Sequence, residues 1–556
     1  MKRNSSRFLP IYISIAVVVG MFVGNFYANH FAGRRVNLIN TSSNKLSDLL
    51  HIIDDQYVDT VSMSDLVEHS LPLILRELDP HSTYVNAENV EAEMQSLKGS
   101  FSGIGVQFLL LDDTVRIVKV LDGGPSERVG LKAGDCIVAV DKQPFTGKDI
   151  TEEEIKKHLK GPANSEVKLK IIRHGVDNPL NFNITRGNVP VESIDASYMV
   201  DKHTGYLRIT TWGDATYAEF LSAMASLNTH PLENLIIDLR GNLGGYLNAA
   251  VQIANEFLPK NRLIVYTEGR RFPREDYKSD GRGSYQQMPL IVLVDEISAS
   301  ASEIFAGAMQ DNDRATIIGR RTFGKGLVQV PIQFRDGSMV RLTRARYYTP
   351  SGRCVQKPYT PGDEEAYEND LIKRAEGGEY FNPDSIKTSG EKFHTRIGRT
   401  VYGGGGIIPD VFVSRDTTGY TTYFRQVAGT TLMNDFAYRF VDSHRRQMEK
   451  FTSHQEISTY LRTQDIVQAF VRYAETKGIK RRNLMIKTSH DLLFQFLTSY
   501  ITADLLDTED VVKYANLTDP AILRAMEIIR EKRTFPQKDD TGKQFLRKEK
   551  PDHQNR

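Results

Sequence analysis

The chain has 556 residues, with 71 basic and 70 acidic side chains and a formal net charge of +1. This length predicts several domains, because single hydrophobic cores stop growing near about 250–300 residues. The balanced charge gives no reason to expect a polyanionic partner, and nucleic acid in particular is not predicted. The two cysteines, Cys136 and Cys354, lie far apart and outside any metal-ligand spacing, so neither a disulfide framework nor a zinc site is indicated.

The N-terminus combines basic residues with an apolar segment. Lys2, Arg3 and Arg7 flank or precede an uncharged, mostly apolar stretch from Phe8 to Phe26, which is about long enough to cross a bilayer as a helix. The basic residues are expected to hold this end in the cytoplasm. Residues 1–36 are therefore interpreted as a single-pass cell-membrane anchor that places the rest of the chain on the periplasmic side. A cleaved signal peptide is the alternative, and it would also export the rest.

Residues 37–97 predict a small helical segment, because apolar residues such as Leu49 and Ile53 recur at helical spacing. The turn-forming stretch 78–81 closes this pattern. His81 lies in that turn and is interpreted as a turn residue rather than a catalytic one.

Residues 98–187 differ from the preceding segment, because short β-rich runs alternate with Gly, Pro and Asp turns. The pattern predicts a small β-rich domain with one inserted helix. The predicted strands cover 115–121, 136–141, 166–174 and 180–185, and the predicted helix covers 149–159.

Residues 188–415 alternate strands and helices, which predicts an α/β layer architecture with its chemistry in the loops that follow the strands. Residues 416–531 again have helical spacing and are predicted to form a C-terminal helical region without recognisable chemistry. The charged segment 532–556 is predicted to be a disordered tail. Within the α/β part, strands are predicted at 206–210, 235–239, 263–267, 290–294 and 316–318, and helices at 215–227, 246–258 and 300–311.

A serine with catalytic potential lies where an apolar strand runs through small residues into a helix. Ser300 belongs to the block Ser-Ala-Ser-Ala-Ser-Glu at 298–303. This is the positive end of the predicted helix, where backbone N–H groups can stabilise an oxyanion. A simple helix cap is the ordinary explanation of such a serine and stays open at this point.

A lysine follows one strand and one turn later. Lys325 is bracketed by glycines in Thr-Phe-Gly-Lys-Gly at 322–326. A lysine enclosed by protein loses its charge on desolvation, and the neutral amine can then take a proton from a serine hydroxyl. An exposed loop lysine is the alternative, whereas a phosphate-binding loop fails because Gly326 stands where Ser or Thr is required. No histidine occurs between residues 231 and 393, which favours lysine as the base.

A glycine-rich turn completes the candidate site. The sequence Asp-Leu-Arg-Gly-Asn-Leu-Gly-Gly at 238–245 ends a predicted buried strand and leads into a helix. Such a turn exposes backbone N–H groups, so Gly244 or Gly245 could supply one oxyanion donor, with Gly244 taken as the candidate, and Ala301 the other. A tight strand-to-helix connection without catalytic meaning is the alternative.

Through these three blocks together the chain resembles the C-terminal processing peptidases, the tail-specific protease family. The resemblance implies that Ser300 is the nucleophile, that Lys325 is the general base, and that Gln329 hydrogen-bonds and orients the lysine. It implies an α/β peptidase core of crotonase-like fold at 188–415, with an inserted β-rich PDZ domain at 98–187 and flanking helical segments. It implies neither a cofactor nor a metal.

Two positions near these blocks receive no catalytic role. Asp311 matches an acidic position of the family, but it lies about three helical turns, roughly 16 Å, beyond Ser300, and direct contact is not expected. Arg320 and Arg321 stand where the family usually has an acidic residue and a proline, which leaves the substrate preference open.

The resemblance extends to the β-rich domain, where Ser102, Gly103, Ile104, Gly105 and Val106 look like the carboxylate-binding loop of a PDZ domain. Backbone N–H groups of such a loop hold a peptide's terminal carboxylate while the peptide adds as a strand. The implied partners are protein substrates with exposed C-terminal tails, besides the membrane through the N-terminal helix.

The leading hypothesis is therefore an endopeptidase that binds a tail in the PDZ domain and cleaves it at Ser300 through an acyl-enzyme intermediate. A catalytically inactive, PDZ-bearing membrane scaffold is the second hypothesis. A hydratase or thioesterase that acts on acyl-CoA is the third, because the crotonase fold uses similar glycine-turn oxyanion donors.

Overall fold

The computed structural model describes residues 14, 17–21, 42–111, 113–121, 123–147, 150–173, 175–388 and 391–538. The chain forms two compact units, one up to Leu73 and one from Ile74 onward. Most of the apolar stretch that was interpreted as an anchor, residues 8–26, lies outside the described residues. Among the described residues, no helix has both the length and the apolar character that a membrane crossing needs.

The helical segment expected at 37–97 contains three helices and one short strand. A turn at residues 77–82 separates the second helix from the strand, so the predicted breaker is confirmed. The elements are α1 (Ser42–Gln56), α2 (Met63–Arg76), β1 (Thr83–Val85) and α3 (Ala87–Lys98).

The β-rich domain is an antiparallel sheet in the order β3-β4-β5-β7-β8, with the short β6 paired to β5 and a separate ladder between β2 and β9. β7 alternates exposed and buried residues, so one face packs on the domain core. Thr151 and Glu154 form a capping box at the start of α5. The elements are β2 (Ser100–Gly103), β3 (Val106–Leu111), β4 (Thr114–Val120), α4 (Pro125–Arg128), β5 (Cys136–Val140), β6 (Gln143–Pro144), α5 (Glu152–Leu159), β7 (Glu166–Ile172), β8 (Leu180–Thr185) and β9 (Gly187–Pro190).

The α/β part contains a six-stranded sheet in the order β10-β11-β12-β15-β16-β21, which is parallel from β11 onward. β15 is buried along its whole length, as expected of a central parallel strand. Three helices cover one face. The elements are β10 (Ile194–Met199), β11 (Thr204–Ile209), α6 (Thr216–Leu227), β12 (Asn234–Asp238), α7 (Leu247–Phe257), β15 (Leu290–Val294), α8 (Ala301–Asp311), β16 (Thr316–Gly319) and β21 (Val411–Phe412).

A second, antiparallel sheet carries the segment that follows the lysine block. Its order is β1-β18-β13-β14, with β17 paired to β18. The strand β18 has no counterpart among the sequence predictions, and it receives both β17 and the N-terminal strand β1. The remaining elements of this part are β13 (Leu263–Gly269), β14 (Phe272–Lys278), β17 (Leu327–Gln333), β18 (Met339–Tyr348), α9 (Glu364–Glu368), α10 (Asp370–Glu376), a 3-10 turn (Pro383–Ser385), β19 (Lys392–His394) and β20 (Thr400–Tyr402).

The predicted C-terminal helical region divides into two parts with different packing. The helices from α11 to α16 share a core of their own, which includes Phe470 and Leu497. The last two helices instead cover the second face of the parallel sheet, where Ile522 and Met526 pack near Ile236. The helices are α11 (Thr422–Ala428), α12 (Leu432–Met448), α13 (His454–Thr463), α14 (Ile466–Thr476), α15 (Asn483–Thr488), α16 (His490–Leu505), α17 (Thr508–Asn516) and α18 (Pro520–Arg530).

The predicted disordered tail requires a correction at its start. The hydroxyl of Thr316, on β16, donates to the carbonyl oxygen of Thr534 at 3.0 Å, and the Thr534 side chain is buried. The chain therefore stays packed against the sheet at Thr534, beyond residue 532. Residues 539–556 lie outside the described residues.

Candidate active site

Ser300 lies at the junction of β15 and α8, where the sequence predicts it. Its backbone has φ 55° and ψ −115°, a region that a residue with a side chain rarely adopts and that costs about 1–3 kcal/mol. Strain of this kind is typical of a sharp strand-to-helix turn that exposes a nucleophilic hydroxyl. A plain helix cap has no need of such a conformation, so the backbone geometry favours the functional interpretation.

The glycine turn after β12 packs directly against Ser300. A Cβ added to Gly244 would come within 2.6 Å of the Ser300 Cβ, so only glycine fits there. Asn242 fastens the turn to the same helix start, because its carbonyl oxygen accepts from the Ala299 N–H at 2.9 Å and from the Ser302 hydroxyl at 3.2 Å. The two blocks predicted to act together are thus adjacent.

The hydrogen bonds of this turn change the choice of oxyanion donor. The Gly244 N–H already donates to Asn242 Oδ1 at 2.8 Å, which counts against Gly244 as the donor. The N–H groups of Gly245 and Ala301 have no acceptor among the described residues. Gly245 and Ala301 are therefore the two open donors beside Ser300.

Lys325 lies in the loop between β16 and β17 and is half-buried. Burial and, to a smaller extent, the Arg341 charge lower the pKa of its amine to about 8, against the opposing effects of Glu303 and Asp79. About one amine in ten is then neutral at pH 7. The Ser300 hydroxyl and the Lys325 amine are not hydrogen-bonded to each other within the described residues, and such bonds often tighten only when substrate binds.

A buried carboxylate ties the serine and lysine segments together. Glu303 Oε2 accepts from the backbone N–H of Ser300 and of Lys325, each at 2.9 Å. Its Oε1 accepts from the Gly324 N–H at 2.7 Å and from the Thr322 hydroxyl at 2.6 Å. Burial raises the Glu303 pKa to about 7, although these four donors lower it. One side chain thus fixes the backbones of both candidate catalytic residues.

Tyr347, on β18, makes a second connection between the same segments. Its hydroxyl lies within hydrogen-bond reach of two carbonyl oxygens, that of Ser300 at 3.1 Å and that of Lys325. The side chain is almost fully buried. Glu303 and Tyr347 therefore hold the two main chains from both their N–H and their C=O groups.

The other positions considered in the sequence, Gln329, Asp311 and His81, differ in their contacts. Gln329, on β17, donates from Nε2 to the Thr343 hydroxyl at 3.1 Å, and within the described residues its carboxamide accepts no hydrogen bond from Lys325. Asp311 is buried and pairs with Arg353 at 2.8 Å, which agrees with its omission from the catalytic set. His81 lies in a turn, as predicted, but that turn is next to the lysine.

His81 has a closer relation to the site than its turn role suggested. Its Nε2 lies 2.9 Å from the Tyr367 hydroxyl. Burial and the nearby Lys325 charge lower the pKa of the imidazole to about 3, against a smaller opposing effect of Asp79. The ring is therefore neutral near pH 7 and adds no charge beside the lysine.

Sequence reasoning gave no role to Glu303 and Tyr347. Glu303 stands three residues after Ser300, and a Ser-x-x-Glu spacing at a helix start is a recognisable signal. It could have shown that the glutamate lies near the serine, but not that it also reaches the lysine loop. Tyr347 had no signal, because it lies on a strand that the pattern did not predict.

The predicted carboxylate loop of the β-rich domain has its own geometry. Ser102, Gly103, Ile104 and Gly105 are buried, and Val106 is half-buried. The Ile104 N–H donates to the carbonyl oxygen of the last residue of α5, Leu159, at 3.2 Å. The Ser102 N–H donates to Gln95 Oε1 of α3 at 2.8 Å, so at least two backbone donors of the loop are already hydrogen-bonded.

Family models match three parts of the chain. Residues 203–366 match "Peptidase family S41", and residues 102–184 match "PDZ domain". Residues 423–507 match a "Family of unknown function" designated DUF8443. The PDZ match falls within the predicted 98–187, and the peptidase match falls within the predicted 188–415.

Curated relatives agree with these matches. A carboxy-terminal-processing protease of Bartonella bacilliformis is 36% identical over 318 residues, which are 56% of this chain and 72% of the relative. The carboxy-terminal processing protease CtpB of Bacillus subtilis is 33% identical over 317 residues, 56% of this chain and 65% of the relative. CtpA of the same organism is 31% identical over 359 residues, 64% of this chain and 76% of the relative.

Proposed function

The chain belongs to peptidase family S41, with a PDZ domain and curated relatives named carboxy-terminal processing proteases, and from this premise we propose that it is an endopeptidase with a Ser300/Lys325 dyad. The observation that carries the proposal is the shared support of the two residues. Glu303 binds the backbone N–H groups of both, next to two open oxyanion donors.

In the first half of the reaction, the Ser300 hydroxyl attacks the carbonyl carbon of the scissile peptide bond, and the neutral Lys325 amine takes the hydroxyl proton. The carbonyl oxygen becomes an oxyanion that accepts from the N–H groups of Gly245 and Ala301. Lys325 then gives its proton to the departing amide nitrogen. The C–N bond breaks, the new amine leaves, and an ester to Ser300 remains.

In the second half, water attacks the ester carbon and Lys325 takes a proton from that water. The second oxyanion collapses with cleavage of the bond to the Ser300 oxygen, which recovers its proton from the lysine. The products are a free carboxyl group and regenerated enzyme. The protonation state of the lysine amine is the same at the start and the end of the cycle.

Recognition of C-terminal tails belongs to the same proposal. The PDZ loop at 102–106 and the free edge of β3, which pairs only with β4 among the described strands, suit a peptide that adds as an extra strand and ends at the loop. We assign the carboxylate to this loop. The proposed occupant is an exposed, unstructured protein tail with a free carboxylate.

Location outside the cytoplasm is also a proposal. It rests on Lys2, Arg3 and Arg7 followed by the apolar stretch at 8–26. Membrane fractionation of the full chain, with protease protection of a C-terminal epitope in intact cells, tests it. Recovery of the intact chain in the soluble cytoplasmic fraction would contradict it.

The catalytic proposal is tested by cleavage of an unstructured protein by the wild-type chain and by Ser300→Ala and Lys325→Ala variants. Both variants are expected to lose at least about 10³-fold in kcat/KM, because each removes a group that acts in the transition state. Circular dichroism and thermal unfolding establish that the variants fold. Wild-type rates in a folded Ser300→Ala variant would disprove the dyad.

The second hypothesis, a catalytically inactive PDZ-bearing membrane scaffold, is not favoured, because the curated relatives are named proteases. It predicts peptide binding without turnover and no acylation of Ser300 by a serine-reactive probe. The strained Ser300 backbone disfavours it, because a scaffold has no use for a conformation that costs stability. The thioesterase or hydratase hypothesis, which follows from a proposed crotonase-like core, predicts turnover of acyl-CoA and none of peptides.

A further inference from the structure

Gln329 belongs to a short chain of hydrogen bonds that ends on Asp79, a carboxylate whose charge acts on Lys325. Its Nε2 donates to Thr343 Oγ1 at 3.1 Å, and Thr343 Oγ1 donates to Asp79 Oδ1 at 3.0 Å. The three residues come from β17, from β18 and from the turn before β1. We call Gln329, Thr343 and Asp79 the relay.

The direction of the relay is fixed by its far end. Asp79 Oδ1 also accepts from the backbone N–H groups of His81 at 2.8 Å and of Ser82 at 2.9 Å. An oxygen that faces two N–H donors acts as an acceptor. The Thr343 hydroxyl must therefore donate its one hydrogen toward Asp79.

This direction decides which way the Gln329 carboxamide faces. Because the hydroxyl hydrogen of Thr343 is used on Asp79, its oxygen can only accept from Gln329, and an acceptor selects the amide nitrogen. The amide oxygen Oε1 is then left for another donor. An ammonium group is a donor without acceptor capacity, so the remaining oxygen suits Lys325.

We propose that Thr343 and Asp79 are positioning residues that hold the Gln329 carboxamide with its oxygen presented to the Lys325 amine. The inference rests on the proposed role of Lys325 as the base and adds the residues that orient its partner. Asp79 and Thr343 do not touch the reacting atoms; they act through Gln329.

The turn that carries Asp79 is attached to β18 at more than one point. The Ser82 hydroxyl donates to Asp79 Oδ2 at 2.6 Å and accepts from the Thr343 N–H at 3.1 Å. Immediately after it, Thr83 of β1 pairs with Arg341 of β18. The carboxylate is therefore held in register with Thr343 by main-chain contacts.

The charges around Lys325 determine how its pKa should respond to substitutions nearby. The groups that act on Lys325 are Arg341, Glu303 and Asp79, and His81 faces it as a neutral ring. Arg341 pairs with Glu93. Loss of the Asp79 charge removes one influence that favours the ammonium form, so the lysine should then lose its proton at a lower pH.

The experiment compares kcat and kcat/KM against pH for cleavage of an unstructured, non-titrating peptide by the full chain. Thr343→Val removes the hydroxyl and leaves the carboxamide free to turn, so kcat should fall about 10-fold at every pH. Thr343→Ser keeps the hydroxyl and should stay within about two-fold of wild type. The Val/Ser pair separates the relay from simple packing of the side chain.

Asp79→Asn separates orientation from charge. The two backbone N–H groups keep the amide oxygen in the Oδ1 position, so the relay keeps its direction while the charge is lost. The NH2 group then takes the Oδ2 position and donates to the Ser82 oxygen, whose own hydrogen turns away. The plateau of kcat at high pH should stay near wild type, and the acidic limb should move down by about 0.5–1 pH unit. Glu77→Gln makes the same charge change two residues earlier on an exposed side chain and should not move the limb.

The outcomes separate this inference from the proposed function. A folded Ser300→Ala variant that still cleaves would sink the proposed function itself. Cleavage that needs Ser300 and Lys325, but with Thr343→Val equal to Thr343→Ser in kcat and with the acidic limb of Asp79→Asn unmoved, would overturn the relay alone. A lower kcat in Thr343→Val, its rescue in Thr343→Ser and the shifted limb of Asp79→Asn would establish it.

Discussion

Two glycine-containing segments of this peptidase differ in whether their backbone N–H groups are already hydrogen-bonded. Beside Ser300, the N–H groups of Gly245 and Ala301 have no acceptor among the described residues, while Glu303 and Asn242 hold the surrounding chain in place. In the PDZ loop, the Ile104 N–H already donates to the α5 carboxyl end.

This difference in hydrogen bonding implies different binding properties for the two segments. A transient oxyanion gains most from donors that are fixed before it forms, since no reorganisation is then needed in the transition state. A tail carboxylate that binds the PDZ loop must instead exchange with an existing hydrogen bond, so part of its binding energy is lost. Catalytic geometry should therefore be intolerant of small changes, and tail binding should be weak and adjustable.

The largest effect is expected from Gly244→Ala. The new Cβ would meet the Ser300 Cβ at 2.6 Å and the Ala299 carbonyl oxygen at 2.8 Å, at a φ of +104°. The displaced nucleophile should lower kcat/KM at least about 10³-fold in a peptide-cleavage assay.

Gly241→Ala is the matched control in the same turn. Its φ of +74° is also left-handed, but nothing lies within 4 Å of the added carbon. It should cost about 1–2 kcal/mol of stability and change kcat/KM only a few-fold. Equal losses in both variants would mean that backbone strain, rather than the close approach to Ser300, requires glycine at 244.

Glu303→Gln should have the next largest effect. A carboxamide offers one oxygen to four donors and turns its NH2 group toward two of them, so two buried donors lose their acceptor at about 1–3 kcal/mol each. The free energy of unfolding should fall and kcat/KM should drop about 10²-fold. Chemical denaturation and steady-state kinetics measure the two effects.

Glu256→Gln is the control for a buried glutamate away from the site. Its carboxylate accepts from the Tyr217 hydroxyl at 2.7 Å and from the Ser284 N–H at 2.9 Å, and an amide can serve both. Activity should stay near wild type. A Glu303→Gln variant as active as this control would show that the hydrogen bonds of Glu303 to the Ser300 and Lys325 backbones are not needed for activity.

The comparison also explains what the sequence could predict. Ser300, Lys325 and the turn at 238–245 each lie in the segment that follows a strongly apolar strand, so their shared edge of the sheet follows from strand order. The small β-rich domain followed from short alternating strands, whereas its PDZ identity followed from the family resemblance. Local pattern was sufficient because each of these features lies within about ten residues of its own signal.

Features that depend on contacts between distant segments could not be predicted. Tyr347 reaches the site from β18, which pairs with a strand from the opposite end of the domain. Asp519, at the start of α18, pairs with Arg240 at 2.7 Å, and no periodicity indicated that the last helices cover the sheet. The hydrogen bond from the Gly244 N–H to the Asn242 side chain is local, but the sequence pattern did not indicate this side-chain orientation either.

The pH dependence of kcat/KM tests whether the site holds Lys325 in a buried position. In the proposed mechanism the neutral Lys325 amine is the active form, and its pKa is lowered to about 8, chiefly by burial. The kcat/KM of wild type should rise about tenfold per pH unit below pH 8 and level off above it. A midpoint near 10.5 would mean that the lysine is solvated, and one near 6.5 would point to a histidine base.

The smallest effect is expected in the PDZ loop. Gly105 has φ +78°, and a Cβ there would lie 3.2 Å from Val189 Cγ2 and 3.3 Å from the Gly124 Cα. Gly105→Ala should push the loop away from β9 and the start of α4 and weaken binding of a fluorescent tail peptide about five-fold, without changing cleavage of a substrate that lacks a free carboxylate.

Gly123→Ala is the matched control, because its φ of +69° is similar and nothing lies within 4 Å of the added carbon. It should bind the tail peptide within about two-fold of wild type in the same anisotropy titration. A peptide with an amidated C-terminus should bind the wild-type chain more weakly than the free acid. Only the free acid brings a charged acceptor to the Ile104 N–H group, which otherwise donates to the Leu159 carbonyl oxygen. Equal affinity for the two peptides would remove the loop from tail recognition and leave the turn beside Ser300 as the one place where open N–H groups serve the reaction.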